Sequence, residues 1–202
     1  MKVLVLDAMG VIYSARDDVK DLLCPFIAEK DGSKDTSKIG RLYHSASLGN
    51  MSAFEFWKAV GVDPELEDEY LQKHTLTDGL IDFLKVINSR GYQVWCLSND
   101  LSEWSRKLRV RFDLDKYIYG FVISGDIGAR KPDQAIFQYL VGQLDGDPSC
   151  AIIVDDQLKN LDAASAFGFG TILFTPAGHD LTGGRHQAVT SLDDLLLFLS
   201  GR

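Results

Sequence analysis

Four places in this 202-residue chain put chemically capable side chains at the end of a short apolar run. Asp7 closes residues 2–6 in Leu6-Asp7-Ala8-Met9-Gly10-Val11, and Ser98, Asn99 and Asp100 follow residues 92–97. The loop Gly128-Ala129-Arg130-Lys131-Pro132 follows residues 119–124, and Asp155 and Asp156 follow residues 151–154. Three carboxylates in one site repel one another unless a cation joins them, and a hard divalent ion with oxygen ligands suits that role. Mg²⁺ also bridges to phosphate oxygens and offsets their charge. Lys131 adds a fixed positive charge, and Ser98 a hydroxyl donor for a phosphoryl oxygen. An Asp not wholly held by the metal can attack phosphorus as a covalent nucleophile. Cation-assisted phosphoryl transfer is the chemistry this set fits.

The elements that must position these side chains are legible in the pattern. Residues 2–6, 92–97, 119–124, 151–154 and 170–174 are β-rich apolar runs bounded by Gly, Asp, Asn or Ser, as strands buried on both faces are. Helical spacing fills the gaps over 78–90, closed by Gly91, and over 101–110, 132–144, 157–167 and 191–199. Strand alternating with helix predicts an α/β fold, a Rossmann-like open parallel sheet. In such sheets ligands bind at the carboxyl ends of the strands, which is where all four sets stand.

One interval is too long. Residues 8–91 separate the first two strands, 84 residues where a whole βαβ unit takes roughly 30. With 78–90 as the crossover helix, residues 14–76 are surplus, and they carry helical patterns over 19–29, 39–46, 52–60 and 64–74. The expected organisation is an α/β core of residues 1–13 and 77–202, with a small helical cap subdomain over 14–76 above the strand ends. Phe54, Phe56 and Trp57 are expected to form the cap's own core.

Composition narrows the partners. Apolar residues at 46% and charged residues at 25% describe an ordinary globular chain. The longest apolar runs are far short of the ~20 residues of a membrane span, and the N-terminal run ends in a carboxylate after four apolar residues, unlike a signal peptide. A net charge of −8 has the wrong sign for nucleic acid or anionic lipid. Lys107, Arg109 and Arg111 are read as a solvated helix face. Cys24, Cys96 and Cys150 lack metal-ligand spacing, and Cys96 and Cys150 read as buried thiols in a reducing cytoplasm. His44, His74, His179 and His186 stand beside no motif and are expected at the surface, and Asp100 is expected to cap a helix.

Asp7-Ala8-Met9-Gly10-Val11, Leu97-Ser98-Asn99, Arg130-Lys131-Pro132-Asp133 and Asp155-Asp156-Gln157-Leu158-Lys159-Asn160 resemble, in order and spacing, the four motifs of the haloacid dehalogenase superfamily. The resemblance spans nearly the whole chain, and residues 14–76 match the place of that family's small helical cap. It implies Asp7 as nucleophile and Mg²⁺ ligand, with the backbone carbonyl of Met9 and the carboxylate of Asp156 on the same ion. Asp155 would lie beside the ion or act through water, Ser98 and Lys131 would hold the phosphoryl group, and Asn99 would join the substrate contacts. The implied reaction is Mg²⁺-dependent hydrolysis of a small phosphorylated metabolite.

One departure matters. Most phosphatases of the superfamily carry a second Asp two residues after the nucleophile, which protonates the leaving group and then activates water. Here that position is Met9, whose thioether can do neither. Two other readings follow from it. A 2-haloacid dehalogenase expels halide without a proton, although Asp155 and Asp156 crowd its site with charge and Arg16 is the nearest candidate for a carboxylate clamp. A binding or regulatory protein on a catalytically impaired scaffold is the other.

Overall fold

The computed structural model describes residues 2–144, 147–176 and 184–201. Strand β1 (Lys2–Leu6) leads into a helical insertion made of a π-helical turn (Asp18–Leu23) and helices α1 (Cys24–Glu29), α2 (Thr36–Ala46), α3 (Ala53–Val60) and α4 (Glu67–Leu71). The alternation then runs α5 (Leu80–Ser89), β2 (Tyr92–Ser98), α6 (Ser102–Arg111), β3 (Gly120–Ile123), α7 (Ser124–Ile127) and α8 (Gln134–Gln143). It closes with β4 (Ala151–Asp155), α9 (Leu158–Ala166), β5 (Gly170–Phe174), β6 (Gln187–Val189) and α10 (Leu192–Ser200).

The strands form one parallel sheet in the order β3-β2-β1-β4-β5-β6. Val3 and Val5 turn toward a layer containing Ile136, Phe137 and Leu140 of α8 and Leu161 of α9. Leu4 and Leu6 turn to the opposite face, against Leu84 of α5, Leu108 of α6 and Leu195 of α10. Burial on both faces is why these strands read as unbroken apolar runs. From β1 the chain proceeds outward through β2 and β3, then crosses back to β4 on the other side of β1. The reversal leaves a crevice at the carboxyl ends of β1 and β4, the usual ligand position in open sheets of this kind.

All five expected strands are present, each within a residue or so of its expected ends. β6 was not expected, because three residues carry no readable period. Helix 64–74 is instead a 3₁₀ turn (Pro64–Leu66) running into the short α4, which ends before His74. The insertion joins the sheet through two paired segments: Ser14 N–H donates to Thr75 O at 3.0 Å, and Thr77 N–H to Ile12 O at 2.9 Å. Helix α3 begins with a reciprocal cap, Ser52 Oγ accepting from Glu55 N–H at 3.2 Å while Glu55 Oε2 accepts from Ser52 N–H at 2.8 Å.

The insertion's apolar side chains run without a break into the core on one face of the sheet. Trp104 of α6 packs among Phe56, Trp57 and Tyr70 of the insertion. Glu67 accepts from the indole N–H of both Trp57 and Trp104, each at 2.9 Å, so one buried carboxylate ties α4 and α3 to α6. Phe56 and Trp57 are buried as expected, whereas Phe54 is 60% exposed because it falls on the outer face of α3. The basic stretch of α6 is not simply solvated. Lys107 pairs with Glu67 and Asp68, Arg109 stacks on Phe121, and Arg111 donates to the carbonyls of Leu71 and Gln72. Cys96 is buried, but Cys150, just before β4, is only half-buried. Among the described residues, no helix is long and apolar enough to cross a membrane.

Candidate active site

The turn after β1 sets the neighbourhood of Asp7. Asp7 N–H donates to Val154 O at 2.9 Å, which locks the end of β1 to β4. Gly10 then adopts φ +76°, and a Cβ at this residue would lie 2.9 Å from the Asp156 carboxylate. Only glycine gives both the left-handed turn and the close approach of the two loops. Met9 lines the cleft beside this turn.

Lys131 is the centre of the charge arrangement. Its ammonium lies 2.8 Å from Asp7 Oδ1 and 2.7 Å from Asp155 Oδ2. Asn99 fixes the lysine's main chain from both sides, accepting from Lys131 N–H at 2.7 Å and donating to Lys131 O at 2.9 Å. Asn99, expected among the substrate contacts, therefore has both ends of its amide engaged on Lys131. Ser98, the last residue of β2, lines the same cleft without a hydrogen bond from its hydroxyl to the described residues.

Asp155 is wholly buried beneath the cleft. Its Oδ1 accepts from Gln157 N–H at 2.8 Å, and both of its oxygens lie 3.0 Å from Asn160 Nδ2. Asp156 faces the cleft, with Oδ2 3.1 Å from Arg16 Nε and Oδ1 3.0 Å from Gln157 Nε2. Asp7, Asp155 and Asp156 each present an oxygen within 4.8 Å of the other two.

Burial pushes the Asp7 carboxyl well above its ordinary range, and Asp155 adds to the rise while Lys131 opposes it. Burial likewise raises Asp156, with the Gln157 amide and Arg16 acting against it. Burial would lower Lys131, but Asp155 and Asp7 overcome it and hold the ammonium charged. Lys131 thus offsets two of the three crowded acids and the half-exposed Arg16 the third, and the chemistry of this donor set fits a hard divalent cation with oxygen ligands.

The cleft of about 300 Å³ brings together Asp7, Met9, Ser98, Asn99, Lys131 and Asp156. Several of its other walls had little signal in the sequence: Tyr43 and His44 from α2, Asp18 from the π-helical turn, and Arg130 and Lys159. Asn160 was readable in principle, since an Asn five residues past Asp155 comes back over it after one turn of helix. Tyr43 and Asp18 carried no such signal.

Three expectations for isolated polar residues are corrected. Asp100 does not cap α6: it is buried, and its Oδ1 accepts the N–H of Leu101, the next residue, at 2.7 Å. Burial and the nearby Asp18 push its carboxyl up to about 7. His74 is 2% exposed rather than at the surface, 3.3 Å from Asp18 Oδ1, which also accepts from Tyr70 OH at 2.5 Å. His186 has a covered ring between Thr171 and Asp162. His44 is exposed at the cleft, and His179 lies outside the described residues.

A parallel α/β sheet with acids and a lysine at its switch point defines a hydrolase scaffold, and the comparisons with known proteins agree. The model of the haloacid dehalogenase-like hydrolases matches residues 1–168, and the chain belongs to that family. Among curated proteins it is 27% identical over 139 residues to (S)-2-haloacid dehalogenase 4A of Burkholderia cepacia, covering 67% of this chain and 59% of that one. The chain thus spans little more than half the length of that relative. Among solved structures, a HAD phosphatase from Thermococcus onnurineus superposes with a TM-score of 0.77 at 21% identity, covering 100% of this chain and 99% of the other. A HAD family enzyme from Bacteroides thetaiotaomicron, in complex with magnesium and inorganic phosphate, gives a TM-score of 0.73 at 18% identity, covering 90% and 98%. At these identities the structures speak for the fold.

Proposed function

We propose that this protein is a Mg²⁺-dependent phosphatase of a small phosphorylated metabolite, acting through an aspartyl-phosphate on Asp7. The observation that carries the reading is the bridge of Lys131 between Asp7 and Asp155, beside a third carboxylate whose oxygen lies within 4.8 Å of theirs. Asp7, Asp156 and the Met9 carbonyl would hold the ion, with Asp155 behind them. When bound, Mg²⁺ would offset the carboxylate charge and that of the phosphoryl oxygens.

Asp7 Oδ1 is engaged by Lys131 and by Ala8 N–H at 2.6 Å, which leaves Oδ2 to attack phosphorus. The ester oxygen departs as the new P–O bond forms, while the Lys131 ammonium and the Ser98 hydroxyl steady the phosphoryl oxygens. Hydrolysis by water then releases phosphate and restores Asp7. Met9 supplies no proton to the departing oxygen, so esters with acidic leaving groups are expected to turn over best. Residues 14–76 would act as a cap over the core of 1–13 and 77–202, shielding the reaction from water. Three unpaired thiols suit a reducing cytoplasm, and the net charge of −8 speaks against nucleic-acid partners.

Phosphate release from p-nitrophenyl phosphate with and without Mg²⁺ tests the reading, together with beryllofluoride adduct formation on Asp7. Absence of metal-dependent turnover in both wild type and Met9→Asp would sink it. A 2-haloacid dehalogenase is the second reading, favoured by Met9 and by the similarity to the Burkholderia cepacia enzyme. Halide release from 2-chloropropionate in the presence of a chelator would put it first.

A further inference from the structure

We infer that the substrate carries a second anionic group, a carboxylate or a second phosphate, and that Arg130 binds it. The inference rests on the phosphatase reading and specifies which phosphate esters the site selects.

The cations of the cleft do not share one fate. Lys131 is held between Asp7 and Asp155, and Arg16 is taken by Asp156. Arg130 makes no ion pair among the described residues, although it lines the same cleft. Its guanidinium lies 5.6 Å from the centre of the Tyr43 ring, and its Nη1 is shut off from water without a hydrogen-bond partner among the described residues. A buried charged donor left in that condition is destabilised, so an acceptor brought by a ligand is favoured.

Asp100 is near enough that its charge and that of Arg130 favour each other, but neither Asp100 nor Asp18 forms an ion pair or hydrogen bond with Arg130 among the described residues. Asp100 Oδ1 accepts from Leu101 N–H, and Asp18 Oδ1 accepts from Tyr70 OH and lies against His74. The main chain of Arg130 is fixed as well: Asp133 N–H donates to its carbonyl at 2.7 Å, and Asn99 grips the next residue. A guanidinium on a backbone held in this way has the planar donor set that suits a carboxylate or a phosphate. The cleft of about 300 Å³ limits the ligand to a small molecule, with its phosphoryl group at Asp7 and Lys131 and its second anion at Arg130. Lys159, exposed on the rim, reinforces the positive side of the cleft.

The test compares three esters of similar size in the presence of Mg²⁺: ethyl phosphate, phosphoglycolate and ethylene glycol bisphosphate. At least one charged ester should exceed ethyl phosphate in kcat/KM by about tenfold or more, the worth of one added charged hydrogen bond. Which one does so distinguishes a carboxylate from a second phosphate. In Arg130→Gln the ratio should collapse toward one, and Arg130→Lys, which keeps the charge but loses the fork, should retain part of it. A wild-type ratio near one, or an undiminished ratio in Arg130→Gln, overturns the inference while leaving the phosphatase reading intact. Calorimetric binding of phosphonoacetate against ethylphosphonate, in wild type and both variants, separates the two claims. If no ester turns over, the phosphatase reading fails, and the preference for phosphonoacetate with its loss in Arg130→Gln still decides whether Arg130 is an anion site.

Discussion

Replacing Lys131 by Met keeps the length and apolar stem of the side chain and removes its charge. The wild-type ammonium sits 2.8 Å from Asp7 Oδ1 and 2.7 Å from Asp155 Oδ2, and all three side chains are almost wholly covered. Removing one partner of a buried ion pair leaves an uncompensated charge and costs about 3–5 kcal/mol. For a chain of this size, where 1 kcal/mol moves Tm by about 2–4 °C, the variant should melt roughly 6–20 °C below wild type. The assay is thermal unfolding in chelator at pH 7.5. The pH dependence follows from Asp7, whose folded carboxyl is already raised by burial and would rise further without Lys131. A raised carboxyl lets the folded state hold its proton more tightly than the unfolded chain, so the deficit should shrink as pH falls and Asp7 becomes neutral. Excess Mg²⁺ should also narrow the gap, because a cation bound among the three acids replaces part of the lost charge. A variant melting within about 2 °C of wild type in chelator, less than 1 kcal/mol of difference, would refute this account. So would a deficit that grows on acidification.

Asp100 supplies a second titration, away from the carboxylate triad. Its folded value of about 7 against an ordinary 3.8 means that stability falls as pH rises through that window, by at most about 4 kcal/mol. Asp100→Asn mimics the neutral acid and should gain on wild type between pH 5 and pH 8 in thermal melts; a constant difference would contradict the assignment. Arg16, 40% exposed, competes for Asp156, so Arg16→Ala should tighten metal binding by up to about fivefold in a direct Mn²⁺ titration, the scale of one partly exposed ion pair. Weaker binding would mean that Arg16 supports the site instead. Gly10→Ala forces a Cβ onto φ +76° and into the Asp156 carboxylate. It should cost about 1–3 kcal/mol in denaturant unfolding and weaken Mn²⁺ binding.

Much of the polar edge of the cleft was legible because most of its residues stand at the end of a strand. A buried parallel strand announces itself as an apolar run, so whatever polar residue comes next stands at the edge of the sheet. That rule located Asp7, Ser98, Asp155 and Asp156 without knowledge of strand order, whereas Lys131 lies beyond α7 and was reached only as part of the loop that follows the third strand. Residues of the insertion had no such rule. Tyr43 and Asp18 reach the cleft only because α2 and the π-helical turn fold back over it, and nothing local distinguishes them from other polar positions. His74 misled for the same reason: its burial comes from Asp18 and Tyr70, distant in sequence but adjacent in the fold. Phe54 misled in the opposite direction, since an eight-residue helix buries one side, and the phase of α3 leaves this ring outside.

By itself, the sequence determined the alternation of strand and helix, the insertion between β1 and β2, and the set of groups at the strand ends. These depend on period, local chemistry and chain order, which a linear string records. Tertiary structure alone decided which of those groups touch. Lys131 bridges Asp7 and Asp155 because β1 and β4 are neighbours at the sheet's switch point, and Asn160 turns back onto Asp155. It also decided that Arg16 is held while Arg130 has no ion pair among the described residues, since ion pairing depends on distances between remote loops. Those distances are set by packing, and no spacing along the chain encodes them.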